Sequence, residues 1–260
     1  AYATAGEPDG HLLKACGARR ATVCQPCSTT YRADAWHLIA AGLRGGKGVP
    51  PIAATHPILF VTLTAPSFGP VHSRRTRDGV ARMCRPRGAP TCRHGRPTRC
   101  REIHPPDNER LGDPLCPDCF DYVGAVLWNA HATELWRRTT IGIRRHLAKA
   151  LGIPSSRFGD HARLSYAKVV EYQDRGLVHL HVVIRLDGPA GPEEPPPDGI
   201  TLEESEAAVV AACQRTHFGY PATEGMRGEI RWGEQIDLRR VAADSVTPAA
   251  VAAYLAKYAT

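Results

Sequence analysis

Two strand-length runs limit the fold of this chain more than any other feature. RLSYAKVVEYQ (163–173) and LVHLHVVIRLD (177–187) are separated only by Asp174-Arg175-Gly176. β-Branched and aromatic residues recur in both, and so short a glycine-containing link suits an antiparallel hairpin. An antiparallel sheet is therefore expected. Strand alternation places Glu171, Gln173, His179 and His181 on one face, with Glu171 across the turn from the two histidines. Two imidazoles and a carboxylate on one sheet face form a natural divalent-metal site with open positions. A His-x-His pair flanked by valine and leucine also suits simple packing; Glu171 is what favours a ligand set, with Gln173 in reserve.

The rest of the chain reads as helices and short strands. A helix is expected from about Thr29 to Leu43, ended by Gly42 and the GLRGGKG segment, followed by a strand in ILFVTLTA (58–65). Residues 122–151 have helical periodicity and are closed by Gly152 and Pro154. A Pro-rich loop (188–199), a helix at about 202–214 and a strand at about 228–240 come next. A last helix opens with Thr247 as N-cap and Pro248 at its first position. The chain ends two residues after Tyr258, inside that helix, which points to a piece of a longer protein. Residues 70–121 show no periodicity and are rich in Arg, Pro and Cys; a stretch like this inside a domain needs something to tie it down.

Composition narrows the class. A hydrophobic content of 43% supplies a sizeable core and excludes a wholly disordered chain of 260 residues. No apolar run approaches the roughly 20 residues that cross a bilayer, and no secretory signal is visible. A cytoplasmic protein without a membrane partner is expected. Lys and Arg number 33 against 26 Asp and Glu, and only five of the 33 are lysine. Arginine suits bidentate contact with phosphate, although GC-rich codons would give the same bias.

The nine cysteines are odd in number and mostly grouped, in a chain neither small nor visibly secreted, so structural Zn²⁺ is favoured over disulfides. Cys116-Pro-Asp-Cys119 with Cys92 and Cys100 forms one expected set, with His94 and His104 as substitutes. Cys16, Cys24 and Cys27 form another, completed by Cys84 or by a residue upstream of Ala1. Cys213 reads as a buried apolar filler. Ten arginines lie between residues 74 and 101 against one aspartate. Arg74, Arg75, Arg77, Arg93 and Arg96 are thus candidates for gripping phosphate, although such runs are often only solvated surface.

Tyr254 and Tyr258 share a face of the last helix, with Lys257 beside them. Tyrosine on an Ala-rich helix can be a core anchor. Beside lysine and a metal it can instead attack a phosphodiester. These pieces resemble the HUH endonuclease superfamily of rolling-circle initiators and relaxases. Phe60-Val-Thr-Leu-Thr64 is similar to its first motif. Glu171-Tyr-Gln-Asp-Arg-Gly-Leu-Val-His179-Leu-His181 is similar to its metal-binding motif, and Tyr254-Leu-Ala-Lys257-Tyr258 to a two-tyrosine motif. YRADAWHLIAAGLRGGKGVP, FVTLTAPSFGPVH and HLHVVIRLDG further resemble initiators of actinobacterial, Streptomyces-type plasmids and integrative elements.

The resemblance implies an α+β fold: an HUH-type, ferredoxin- or RRM-like antiparallel sheet with helices on one side and peripheral zinc-binding modules. Residues 1–50 would form an N-terminal zinc-binding segment and helix. Residues 51–260 would form the nuclease domain, with 70–121 as its zinc-binding insertion. The implied activity is nicking and rejoining of single-stranded origin DNA through a 5′-phosphotyrosine. His179, His181 and Glu171 would hold Mg²⁺ or Mn²⁺, Tyr254 and Tyr258 would be nucleophiles, and Lys257 would support them. An adjacent hairpin or duplex, and the host helicase and polymerase, are the implied partners. A relaxase or transposase with the same chemistry, and a non-catalytic zinc-finger DNA-binding protein, are the alternatives.

Overall fold

The structure, a computed structural model, describes residues 3–11, 14–219, 228–242 and 245–259. In chain order its main elements are α1 (Gln25–Arg44), β1 (Ile58–Leu63), the short pair β2 (Arg75–Arg77) and β3 (Val80–Arg82), and α2 (Tyr122–Ala150). Next come β4 (Arg163–Tyr172), β5 (Val178–Asp187), α3 (Leu202–Arg215), the short pair β6 (His217–Gly219) and β7 (Glu229–Arg231), β8 (Ile236–Arg240) and α4 (Pro248–Tyr258).

The central sheet has four strands in the order β4-β5-β1-β8, with every neighbouring pair antiparallel. The expected hairpin is β4–β5. Gln173 N–H bonds to Leu177 C=O at 2.9 Å and Gly176 N–H to Gln173 C=O at 2.8 Å, closing the loop over Asp174-Arg175-Gly176. Gly176 has φ +72°, the left-handed position that a three-residue loop of this kind requires. Asn129 of α2 clamps the turn, donating to Gly176 C=O at 2.8 Å and accepting from Val178 N–H at 3.0 Å.

Helices cover both faces of the sheet, not one as the sequence reading expects. Leu59, Val61 and Leu63 of β1 and Leu180, Val182, Ile184 and Leu186 of β5 pack with α2 and α3. The alternate residues Ile58 and Val183 pack with Leu43 of α1 and Val251 and Leu255 of α4. The physical reason is legible in β5, which is buried along nearly all of its length and carries the uninterrupted apolar run Val182-Val183-Ile184 at its centre, as a strand covered on both faces does. The strands β5 and β1 form the middle of the sheet and β4 an edge.

Two element boundaries also differ from expectation. The first helix begins at Gln25 rather than about Thr29, because Pro26 is tolerated in a first helical turn; it then runs through Gly42 to Arg44. The single strand expected over 228–240 is two, since β7 pairs with β6 and β8 with β1. The break falls at Trp232 and Gly233. Trp232 Nε1 donates to buried Thr139 Oγ1 at 2.8 Å, its ring packing edge-on against Trp128. A Cβ on Gly233 would come within 2.8 Å of Ala65 C=O.

A buried ionic cluster fixes α1 to the end of the sheet. Asp187 at the end of β5 accepts from His56 Nδ1 at 2.8 Å, Arg185 Nε at 2.6 Å and Nη2 at 3.0 Å, and Ser165 Oγ at 2.8 Å. Arg185 Nη1 donates to Gly42 C=O in α1. Burial alone would raise the Asp187 carboxyl, but the donors from Arg185, His56 and Ser165 outweigh it and leave its pKa lowered. Since α1 packs on α4, this cluster bears on where α4 sits.

Candidate active site and metal-ligand clusters

Alternation along β4 and β5 sends Glu171, His179 and His181 to the α4 side of the sheet, and the register sets Glu171 directly opposite His179. One ligand atom from each of the three lies within 4.8 Å of the others. His181 Nε2 is 2.8 Å from Glu171 Oε2, and its Nδ1 is 3.1 Å from Thr62 Oγ1 on β1. The Thr62 hydroxyl can donate or accept, so it holds the ring in either tautomer.

His179 Nε2 is buried and has no hydrogen-bond partner. Leaving a buried polar nitrogen unpaired costs about 1–3 kcal/mol, so this atom fits a site meant for a cation. Burial, with His181 beside it, lowers His179 to about 4, which keeps the ring in its neutral, ligating form at pH 7. Mg²⁺ or Mn²⁺ would thus find two imidazoles and a carboxylate with positions left open. Gln173 takes a different place from that of a reserve ligand. Its Nε2 lies 3.4 Å from His179 Nδ1, the other side of the ring from the orphaned nitrogen, and its Oε1 accepts from Arg175 Nε at 2.9 Å.

The last helix carries the tyrosines. Thr247 caps it by accepting from Ala250 N–H at 3.2 Å, and Pro248 sits in the first turn. Val251 and Leu255 seat it on the sheet, which turns Tyr254 and Tyr258 towards the histidines. Tyr254 OH is 3.4 Å from His181 Nε2, and its ring stands edge-on to His181 with centroids 4.9 Å apart. The ring of Tyr258 stacks on His181 at 5.3 Å. Tyr254 remains 39% exposed, which excludes the buried-anchor reading. Burial, the Tyr258 neighbour and Glu171 raise the Tyr254 phenol, with Lys257 opposing; burial also raises that of Tyr258. Lys257 Nζ donates to Tyr258 OH at 3.4 Å, and its charge also bears on Tyr254.

The cysteines regroup relative to expectation. Cys92, Cys116 and Cys119 are joined by His94, not by Cys100. Cys100 instead stands with His72, Cys84 and His104, so Cys84 is not a fourth ligand of the N-terminal trio Cys16, Cys24 and Cys27. Spacing alone cannot show such pairing, because the chain folds back: Arg85 and Cys100 exchange backbone hydrogen bonds of 2.7 and 3.0 Å, bringing Cys84 beside Cys100. Burial alone would raise the Cys92 thiol, yet backbone hydrogen bonds from His94 and Arg96 and the thiols of Cys116 and Cys119 bring it down to about 6. All nine cysteines are free, and Cys213 is buried in the core, its thiol pushed up to about 12 by burial.

Arg74, Arg75, Arg77, Arg93 and Arg96 are all exposed on the 70–121 segment. Arg77 lies 3.8 Å from Asp78 and Arg96 lies 3.6 Å from Asp118. The site residues that sequence reasoning missed are Thr62, Asn129, Arg175 and His72. Alternation along β1 carries a signal for Thr62, since it opposes His181 in the sheet; nothing in the spacing marks the others.

Among the described residues, no helix is long and apolar enough to cross a membrane. No solved structure matches the chain. Over residues 1–260 it matches the family described as "Replication initiator protein, pSAM2". It is also 44% identical, along its whole length, to a replication initiator protein of Streptomyces ambofaciens, of which it spans about half, 54%. A match over every residue, with so high an identity to a curated relative, places this chain in the pSAM2-type replication initiator family.

Proposed function

We propose that this chain carries the nicking and rejoining activity of a rolling-circle replication initiator, on an HUH-type sheet. The observation that carries this reading is the placement of Tyr254 OH 3.4 Å from His181 Nε2, within the Glu171–His179–His181 cluster. A phenol beside candidate metal ligands and partly open to solvent suits attack on a phosphodiester better than it suits packing. In this reading the Tyr254 oxygen bonds to the scissile phosphorus as the P–O3′ bond breaks. The phenol gives up its proton, and the departing 3′ oxygen gains one. The products are a 5′-phosphotyrosine and a free 3′-OH from which the host polymerase, with a helicase, extends. Rejoining is the reverse: a 3′-OH attacks the phosphotyrosine and the phenol leaves.

Mg²⁺ or Mn²⁺ bound by Glu171, His179 and His181 would polarise the phosphate. The chain's own residues do the positioning. Thr62 and Gln173 orient the two imidazoles, and Arg175 holds Gln173. Raised phenol pKa values keep both tyrosines protonated at rest, so charge near them matters, and Lys257 supplies it. Tyr254 is assigned the first attack because its hydroxyl meets His181, and Tyr258, beside Lys257, the second. The exposed arginines of the 70–121 segment would grip duplex or hairpin phosphates next to the nick.

The test is incubation with single-stranded oligonucleotides tiled across the element's origin in the presence of Mn²⁺. A denaturation-resistant protein–DNA adduct is expected, abolished by Tyr254→Phe and retained by Tyr258→Phe for the first cleavage. An adduct lost only in Tyr258→Phe would reverse the assignment of the two tyrosines. No adduct on any tile, with Mn²⁺ demonstrably bound, would leave a DNA-binding module and overturn the reading.

A further inference from the structure

Between residues 69 and 119 the buried residues are Cys84, Cys100, His104 and Cys116. The interior of this segment therefore consists of potential metal ligands, and it has no hydrophobic core of its own. A chain of this length cannot offset its ordering entropy by apolar burial when none of its apolar side chains other than cysteines is fully buried. Something else holds it.

Two complete four-ligand groups are present: His72, Cys84, Cys100 and His104, and Cys92, His94, Cys116 and Cys119. Bonds of about 2.3 Å to sulfur and about 2.0–2.1 Å to nitrogen give tetrahedral Zn²⁺ ligand separations of about 3.3 Å (N to N) and about 3.6 Å (N to S). In the first group His72 Nδ1 and His104 Nε2 are 3.2 Å apart, and Cys100 Sγ is 3.4 Å from His104 Nε2. In the second, His94 Nδ1 lies 3.2, 3.6 and 4.0 Å from Cys119, Cys116 and Cys92. The remaining nitrogen of His104, Nδ1, is buried without a hydrogen-bond partner, with Glu102 Oε2 at 3.8 Å.

The ligand pairs also alternate along the chain. His72 and Cys84 go with Cys100 and His104, while Cys92 and His94 lie between them and go with Cys116 and Cys119. We infer that residues 72–119 form a binuclear, cross-braced zinc module, with a Cys₂His₂ site and a Cys₃His site threaded through each other. The first site clips the base of the β2–β3 hairpin, since His72 precedes β2 and Cys84 follows β3. Asp78 and Gly79 make the turn with φ +54° and +73°, and every residue of both strands is exposed. An isolated two-stranded hairpin is marginal in water, so this zinc is what holds Arg75, Arg77 and Arg82 in place. Interleaving makes each metal close a loop containing ligands of the other.

The inference does not depend on the tyrosine chemistry and is tested by metal binding. The full chain would be reconstituted with Co²⁺ in a background of Cys16→Ser, Cys24→Ser and Cys27→Ser, and its d–d and thiolate charge-transfer bands recorded. Two thiolate-bound Co²⁺ per chain are expected, one with a two-thiolate and one with a three-thiolate signature; Co²⁺ held by Glu171, His179 and His181 gives no thiolate charge-transfer band. Cys84→Ser with Cys100→Ser should remove the first signature alone, Cys92→Ser with Cys116→Ser the second alone, and Cys84→Ser with Cys92→Ser both. If the last pair of changes spares one signature and the first pair removes both, the sites are sequential and the cross-brace is wrong. Failure of the parent to take up Co²⁺ or Zn²⁺ while its far-UV circular dichroism stays helical would overturn the module altogether. Metal analysis of the unaltered chain guards against misfolded variants: fewer than two Zn²⁺ retained after dialysis also counts against it.

Discussion

Removing the Asp187 carboxylate is the sharpest test of how the sheet is fastened to α1. In Asp187→Ala the Arg185 guanidinium and the His56 imidazole lose an acceptor in a site where the Asp187 side chain is 0% exposed. Four hydrogen bonds disappear, from His56, from Ser165 and two from Arg185. Counting them singly overstates the cost, because the site relaxes and water enters. Breaking one side of a buried ion pair typically costs about 3–5 kcal/mol, mainly because the other charge is left uncompensated. For a chain of this size each kcal/mol lowers Tm by about 2–4 °C, so a fall of about 6–20 °C is expected. Urea unfolding followed by tryptophan fluorescence measures it, with an unchanged m-value showing that stability alone moved. Adding Arg185→Met to Asp187→Ala should recover part of the loss by removing the stranded charge. A loss below about 1 kcal/mol for Asp187→Ala, set against that 3–5 kcal/mol range, would refute the claim that this cluster fastens α1.

The same carboxylate sets a pH dependence. Its folded pKa is lowered, so its contribution is present above the unfolded carboxylate value of about 3.9 and fades as pH falls through the folded value. Acid unfolding of the native chain should therefore be steeper than that of Asp187→Ala; identical profiles would contradict it. Thr62→Val removes the hydroxyl that orients His181 and should weaken Mn²⁺ binding about 10–100-fold by calorimetry; unchanged affinity would strip Thr62 of that role. Thr139→Val leaves Trp232 Nε1 without its acceptor and should cost about 1–3 kcal/mol in denaturant unfolding. Replacing Arg74, Arg75 and Arg77 by alanine should flatten the salt dependence of DNA binding by about 2–3 in the log–log slope if all three contact phosphate; an unaltered slope would leave them solvated surface.

Local residue order dictates the β4–β5 hairpin and the face it presents. Side chains alternate with a strict period of two, so a short turn fixes the register, and Glu171 has to fall opposite His179. The caps of α4 and the shared face of Tyr254 and Tyr258 follow as directly from helical spacing. Other features join groups distant in the chain and are set by long-range packing. That α1 and α4 cover the second face of the sheet depends on Arg185 reaching Gly42 and on Leu43 meeting Val251 and Leu255. That Lys257 bonds to Tyr258 was settled by packing on the sheet, since spacing allowed either tyrosine. The partners of Cys84 and Cys100 were open for the same reason. Ligand identity is written in the residue type, but which ligands share a metal is written in how the backbone folds back, and no local periodicity records that.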